Sequence, residues 1–436
     1  MGDERVRSTA PVSCTSWVLL FVASRAGPGG AAPAAASGFA VTDQGARAQG
    51  LGGAFTGLAD DASAVFYNPG GLALMEGGGA AGGVTLVRLN ESLFQGLPPG
   101  PGAGANGQQD THLEPLPYVY VVKPLKPAIK LGIGLTSPFH FSNSWQGADT
   151  FPGRTISLKS DLTTYDATTV VSFRLGSKAG FGIGAVLRTS ELSETHRVQL
   201  FNPLADAAVD VAEVRFDTDT ENQLGWTAGF LHRVSPAFSW GISYRSAIAT
   251  DYTGTGRLTQ VPTGDAQFDD LVAVSLPLDQ DLALTSSLEL PDTATLGLAF
   301  GLGKSLRVVT DVQWTGWSSV DRLAFQLTEE PTFDQIFELR LDDTVSFRAG
   351  VELTLPSGLQ LRLGAAMEDT AQPDETVGPL LADSDRTVLS GGLGLDWLQV
   401  VFSYTELADR TTRTNVDGLN GTYRTNFWSL SVTISP

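Results

Sequence analysis

From about Ala80 to Pro436 the chain alternates apolar and polar residues with a period of two, segment after segment. Ile129, Leu131, Ile133 and Leu135 alternate with Lys130, Gly132, Gly134 and Thr136. Phe181, Ile183, Ala185 and Leu187 alternate with Gly182, Gly184, Val186 and Arg188. The same pattern recurs at Phe238–Arg245, at Val345–Thr354 and at Trp428–Ser435. A period of two places each set on its own face of a sheet, so the chain is all-β. Alternation alone fits a soluble sandwich as well as a membrane barrel, and the connections decide between them.

The connections fall into two classes. Tight joins lie at Lys123–Ala128, Gly176–Ala179, Val234–Ala237, Gly301–Lys304, Leu355–Gly358 and Asp396–Trp397. Long polar joins lie around 92–112, 143–154, 195–222, 252–280, 318–340, 369–386 and 408–423. The two classes alternate strictly. A Greek-key sandwich has no reason to sort its loops this way. An outer-membrane barrel does, with short turns on the periplasmic side and long loops outside. The runs between joins predict about fourteen antiparallel strands, with both ends of the barrel domain in the periplasm. A barrel of that size has a lumen wider than its own side chains fill, which leaves room for a plug.

Composition agrees. No run of 18 apolar residues exists, so helical spans of the ~20 residues that a bilayer requires are excluded. The formal charge of −19 argues against a nucleic-acid partner, which needs a basic face. One feature disagrees with the barrel reading: bacterial barrels usually finish on an aromatic residue, whereas this chain finishes Ile434-Ser435-Pro436.

Residues 1–36 read as a signal peptide. Arg5 and Arg7 precede the apolar run Trp17–Ala23, and Ala34-Ala35-Ala36 offers a small-residue cleavage site. The single cysteine, Cys14, precedes the apolar run, so a mature chain from Ser37 has no disulfide or thiol chemistry. Residues 37–78 then read as an N-terminal, partly helical hatch in front of the barrel at 79–436. The hatch centres on Gly45–Gly71, GARAQGLGGAFTGLADDASAVFYNPGG, whose small residues let backbone pack against backbone. Asn68-Pro69-Gly70 marks a turn, since proline biases the preceding residue away from helix. Asp60 and Asp61 are expected either to pin the plug to barrel arginines such as Arg245 or Arg348, or to be an ordinary helix N-terminal pair. The turn is expected to make no wall hydrogen bonds.

Pro138 interrupts a strand whose Ile129–Leu135 half alternates cleanly. Proline cannot donate to a ladder. Pro138 and Phe139 therefore mark either a local opening in the wall, a lateral exit, or the strand's extracellular end. Enzymatic signals are poor. His112, His140, His196 and His232 are scattered one per element without metal-ligand spacing, so no metal site, cofactor or catalytic residue is expected. GLGGAF at 50–55 mimics a dinucleotide fingerprint but follows no strand and lacks its third glycine.

In order along the chain, Ser37-Gly38-Phe39, GLGGAFTGLADDASAVFYNPGGL, LTSPF at 135–139, GISYRS at 241–246, LPDTATLGLAF at 290–300, DVQWTGWS at 311–318 and PDETVGPLLADSDRTVLSGGLG at 373–394 resemble the FadL/TodX family. Its members are outer-membrane transporters of long-chain fatty acids and aromatic hydrocarbons. The resemblance implies a fourteen-stranded barrel closed by a hatch, an apolar ligand site in the lumen, and passive, ligand-gated release through a gap at an inward kink of the third strand. It assigns gating to Asn68, Pro69 and Gly70, where the family's Asn-Pro-Ala reads Asn-Pro-Gly. Of the basic lumen residues that meet a carboxylate in fatty-acid members, Arg188 matches the first. The second falls near Asp342 with Arg340 beside it, and a carboxylate there would repel a fatty-acid head group. Neutral hydrocarbons therefore stay in contention.

The expected function is passive transport of a hydrophobic small molecule, bound beside Phe39 and the hatch and released sideways into outer-membrane lipid. Sideways release spares an apolar solute the return to water, at ~0.8 kcal/mol per CH₂. The barrel-assembly machinery is the expected partner in biogenesis, and the barrel is expected to be a monomer. The alternative is a structural or adhesive barrel whose acidic loops bind surface partners; a third reading is an outer-membrane enzyme.

Overall fold

The computed structural model describes residues 38–41 and 44–436, and the expected signal peptide at 1–36 lies outside them. Strand follows strand in chain order, each antiparallel to the last. The wall consists of Gly79–Gly96, Leu113–Lys126, Ile129–Thr136 continued by His140–Ser144, Lys159–Leu175, Ala179–Asn202, Glu221–Ser235 and Phe238–Arg245, followed by Thr293–Leu302, Leu306–Thr315, Thr344–Thr354, Gln360–Glu368, Arg386–Gly394, Leu398–Leu407 and Gly421–Ile434. The last strand pairs with the first from Gly82↔Ile434 to Gly96↔Gly421, which closes a ring of fourteen. Closure leaves the ring no free edge, the condition for crossing hydrocarbon with strands.

The pleat sorts the side chains. On the fifth strand Phe181, Ile183 and Leu187 point outward and are each more than a third exposed, while Val186 and Arg188 point inward and are buried. Val119, Ile133, Ile242, Leu296, Phe347 and Phe402 continue the exposed apolar belt on other strands. A belt of that extent is unfavourable in water and favourable against lipid.

The segment from Gln44 to Met75 lies inside the ring. Short helices at Ala46–Gln49 and Ala64–Tyr67 and a 3-10 turn at Pro69–Leu74 are almost wholly buried. Its backbone rests directly on the wall. A Cβ at Gly70 would stand 2.7 Å from the Gly180 carbonyl oxygen and 2.8 Å from that of Gly229. Only glycine allows this approach, because the opposing atoms are themselves backbone. Where the 3-10 turn ends, wall cations meet its free carbonyls: Arg174 Nε donates to Ala73 O and Arg233 Nη1 to Leu74 O, both at 2.9 Å, and Lys130 Nζ donates to Met75 O. Positive charge at a helical C-terminus is favourable.

The long joins are more ordered than their polarity suggests. The fifth strand runs on to pair with Ala207–Thr218, which pairs with Ile248–Gln260, then Asp281–Leu290, Arg322–Leu327 and Gln335–Glu338. A helix at Ala266–Ser275, capped by Asp265, packs Phe268 and Val272 onto this second tier of sheet. One apolar cluster joins Phe39 and Phe139 to Trp317, Phe325, Leu339 and Leu380 of these joins.

Candidate functional site: a window in the wall

The ladder between the second and third strands runs from Lys126↔Ile129 to Val119↔Leu135 and stops. Pairing between the two resumes only at Gln109↔Trp145, where Asp110 N donates to Ser144 O at 2.7 Å. Between these points one jamb is the second strand up to Tyr118, bonded only to the first strand. The other is the third strand from Ser137 to Asn143, which among the wall strands pairs only with the fourth. The wall has a window here.

Its cause is local. Residues 137–139 lie opposite only 164–165, because Thr136 pairs with Asp166 and His140 with Thr163. The extra residue and Pro138 bend the strand inward. On the facing jamb the first–second strand ladder passes unbroken through Val84↔Pro117 and Leu86↔Pro115. Two prolines fit such a ladder only where their nitrogens point away from it, toward the window. Both jambs are therefore poor in donors. Sequence reasoning found Pro138 but passed over the motif Leu113-Glu114-Pro115-Leu116-Pro117, the signal that could have marked the second jamb.

The inward kink is paired from within by the chain's own N-terminus. Val41 N donates to Pro138 O at 2.8 Å, His140 N to Phe39 O at 3.1 Å, and Ala40 bridges Phe139. Gln44 clasps Ser137, donating Nε2 to its carbonyl at 2.7 Å and accepting its N–H at 3.0 Å. The strip at 38–41 separates two cavities. One of about 230 Å³ is lined by Val87, Leu89, Leu116, Leu381, Leu407 and Phe427 and reaches His112, Glu114 and His140 at the window. The other, of about 70 Å³, lies between Pro138, Phe139, Phe66 and Arg245. Phe39 is buried in edge contact with Phe141 and Trp317.

Behind Phe139 sits a buried charge cluster. Arg188 holds Asp166 with two hydrogen bonds of 2.8 and 2.9 Å, directly across the fourth–fifth strand pair. Arg245 approaches the same carboxylate at 3.3 Å. Phe139 lies 4.7 Å from the Arg188 guanidinium and Phe66 4.7 Å from that of Arg245. Two cations share one anion, and Nη1 of Arg188 and Nη2 of Arg245 have no acceptor. Arg340 is far from this arrangement in character: half exposed, it pairs with Glu338 and Glu375 on the long joins.

The turn Asn68-Pro69-Gly70 is anchored to the wall, against expectation. Asn68 Nδ2 donates to Thr56 O at 2.9 Å and to Phe230 O of the sixth strand at 3.0 Å, while its Oδ1 accepts from Gly70 N at 3.0 Å. The acidic pair divides. Asp60 joins Arg47 at 2.6 Å and the wall residue Arg307 at 2.7 Å. Asp61 mainly caps Ser63, with a second contact to Arg47 at 3.2 Å. Arg47 in turn holds the buried Glu352, which also takes Arg362 at 2.7 Å. The arginines first considered for this role are engaged elsewhere, Arg245 with Asp166 and Arg348 with Glu368. Charge alone could not choose among the inward-facing arginines.

Among the described residues no group of side chains could hold a metal ion. His196 Nδ1 lies 2.8 Å from Glu194 on the fifth strand, sixteen residues from its turn and thus beyond the ~10 that span a bilayer. Burial pushes the Glu194 carboxyl above its ordinary range, against the opposing pull of His196.

A closed fourteen-stranded wall with a lipid-facing belt, an inner plug and a side window defines an outer-membrane transport barrel. Residues 29–433 match the family described as outer membrane protein transport protein (OMPP1/FadL/TodX), and the chain belongs to that family. A long-chain fatty acid transport protein of Salmonella typhi is 23% identical over 360 residues, covering 79% of this chain and 80% of the relative. The protein of the same description from Escherichia coli K12 is 20% identical over 380 residues, covering 79% and 81%. The crystal structure of a Pseudomonas aeruginosa FadL homologue superposes with a TM-score of 0.77 at 19% identity, over 92% of this chain and 99% of that one. The P. putida toluene transporter TodX gives a TM-score of 0.66 at 16% identity, over 92% and 99%.

Proposed function

We propose that this barrel carries hydrophobic solutes passively across the outer membrane and releases them sideways, through the window between its second and third strands. The observation that carries this reading is the window itself, with a largely apolar cavity behind it and only the strip at 38–41 and Gln44 on the kink. A closed wall must satisfy every backbone group in lipid, so an unpaired stretch is stable only where other protein or a ligand covers it. A solute in the cavity that displaces Phe39–Val41 would uncover the path past Pro138 and Phe139. The Asn68–Gly70 turn acts in this scheme as the hatch's hold on the wall, which gating must loosen.

Two solute classes follow from the named relatives, fatty acids and aromatic hydrocarbons such as toluene. The charge cluster favours the first. Arg188 and Arg245 together exceed Asp166 by one positive charge and leave one nitrogen each without an acceptor, which suits a carboxylate. Arg245 takes the place in this reading that sequence comparison gave to Arg340. The test is uptake of labelled oleate and of labelled toluene by cells with and without the protein. Equal uptake in both strains would defeat transport, and faster entry of toluene alone would defeat the carboxylate reading.

A further inference from the structure

Three titratable side chains meet across the window, a pair from one side of the gap and a single ring from the other. His112 and Glu114 belong to the second-strand jamb, and His140 opens the resumed third strand. Glu114 presents one carboxylate oxygen 3.5 Å from His112 Nε2 and the other 3.6 Å from His140 Nε2. All three side chains line the large cavity and are less than a third exposed. No other pair of charged groups joins the jambs between Gln109 and Val119 among the described residues.

The hydrogen bonding around the rings fixes what protons do here. His112 Nδ1 lies 3.2 Å from the Asp110 carbonyl, which can only accept. That bond requires a proton on Nδ1, so a neutral His112 turns the lone pair of Nε2 toward a carboxylate oxygen. Two acceptors then face each other. A second proton converts the contact into a charge-assisted pair. His140 has no hydrogen-bond partner at either ring nitrogen, so no acceptor fixes its tautomer, and its ion pair with Glu114 at 3.6 Å forms only when the ring is charged. The remaining charged groups near His140 are Asp161 on the fourth strand, which accepts from Ser142 Oγ at 2.5 Å and contacts Lys159, and His112 itself. Across the cavity lie Glu368, Asp383 and Arg386, of which Glu368 pairs with Arg348 and Asp383 with Arg386.

We propose that His112, Glu114 and His140 form a proton-operated latch that draws the jambs of the window together when the imidazoles are charged and releases them when they are neutral. The sign follows from the groups. An imidazolium–carboxylate pair is present below the imidazole's titration range and is lost as pH rises through it. Burial holds the His140 imidazole below its ordinary range, against the opposing pull of Glu114. The pair therefore forms toward the acid side of that range, where the carboxyl, ~4.3 when free, is still ionised, and acidification narrows the window. Neutral pH opens it to a solute already in the cavity. This proposal builds on the window as the exit, and its test is chosen so that the two can fail separately.

Spin labels at L113C and Y165C, both lipid-facing and outside the latch, span the window in a C14S background. The expected result is a distance distribution that becomes shorter and narrower as pH is stepped down from about 7.5 to about 5, with the change lying on the acid side of the free imidazole's ~6.5 because burial lowers His140. E114Q should abolish that change, because an amide forms no ion pair with either ring. H140Q should abolish it as well, because the remaining His112–Glu114 contact lies within one jamb and cannot draw the two together. A distance independent of pH, or a pH response that survives E114Q, would overturn the latch. Folding of each variant is read from its retained heat-modifiable migration. Uptake of labelled toluene and oleate, measured in parallel, addresses the exit: distances that move while uptake does not would leave the latch standing and remove the window from the transport path.

Discussion

Asn68 of the hatch donates to the backbone carbonyl of Phe230 in the wall at 3.0 Å, and the same amide nitrogen reaches Thr56 O at 2.9 Å. One side chain thus fastens two turns of the hatch to one wall strand. Asn68 and Thr56 are buried, and the bond to Phe230 O is partly so. Asn68→Ala removes the donor to the buried Thr56 O, at a cost of about 1–3 kcal/mol, and the second bond to Phe230 O, which remains within the wall ladder. The expected outcome is faster amide exchange over 56–71 with unchanged exchange in the wall. Hydrogen-exchange mass spectrometry of the folded barrel checks this, and protection lost equally in the wall would make Asn68 a folding residue of the barrel.

Gly70 tests the same contact sterically. Gly70→Ala puts a methyl group 2.7–2.8 Å from two wall carbonyl oxygens, and neither is free to give way. The hatch should lift from the sixth strand, with a penalty of about 1–3 kcal/mol in local stability. Gly79→Ala is the control, because its nearest neighbour is the flexible Met75 Cε at 3.7 Å. Local exchange of the hatch amides should rise in the first variant and not in the second.

How far the sequence carried the fold is clearest at the turns. Every tight join read from alternation is a turn of the barrel, because period two survives in strands that face lipid on one side and lumen on the other. The long joins were harder. Val209, Val211, Val214 and Phe216 carry the alternation onward at 207–218, yet they lie in a polar stretch and belong to the second tier of sheet. Pro138 was legible because it breaks a clean strand; Pro115 and Pro117 were not, because they sit within pairing that continues on their other side. Nor could the sequence bring His112, Glu114 and His140 together. Their meeting depends on the kink, a tertiary event that no local spacing encodes.

The ion pairs of the hatch differ in strength, and their burial ranks them. Arg47 is largely buried and holds Asp60, Asp61 and the almost fully buried Glu352. Arg47→Ala leaves Glu352 with Arg362 and a longer 3.8 Å contact to the half-exposed Arg307, and breaking a buried pair costs ~3–5 kcal/mol. Arg307 is 46% exposed, so loss of its contact with Asp60 costs only ~0–1 kcal/mol. Urea titration followed by hatch exchange should therefore show a large loss of hatch stability in Arg47→Ala and almost none in Arg307→Ala. Equal effects would mean that the network contributes little and that backbone packing alone seats the hatch.

The window depends on three prolines, and restoring their N–H groups should close it. Pro115 and Pro117 aim their ring nitrogens at the gap from one side, while Pro138 bends the other jamb inward. Pro138→Val alone returns one donor and favours a regular strand, but two positions on the facing jamb still cannot donate. The combined P115V, P117V and P138V variant supplies donors on both sides, so pairing can extend beyond Val119↔Leu135 toward Gln109↔Trp145. The barrel should fold with equal or higher stability, and the new amides should be protected from exchange. Binding of labelled oleate to the purified protein should persist in the P115V, P117V variant, whose positions line neither cavity, and is measured separately for Pro138→Val, because Pro138 lines the smaller cavity beside Arg245. Uptake should fall several-fold in the combined variant and less in Pro138→Val. Pro124→Val, near the turn, should leave uptake unchanged. If exchange shows the ladder closed and uptake continues at the original rate, solute leaves by another route, and the gap in the wall serves something other than exit.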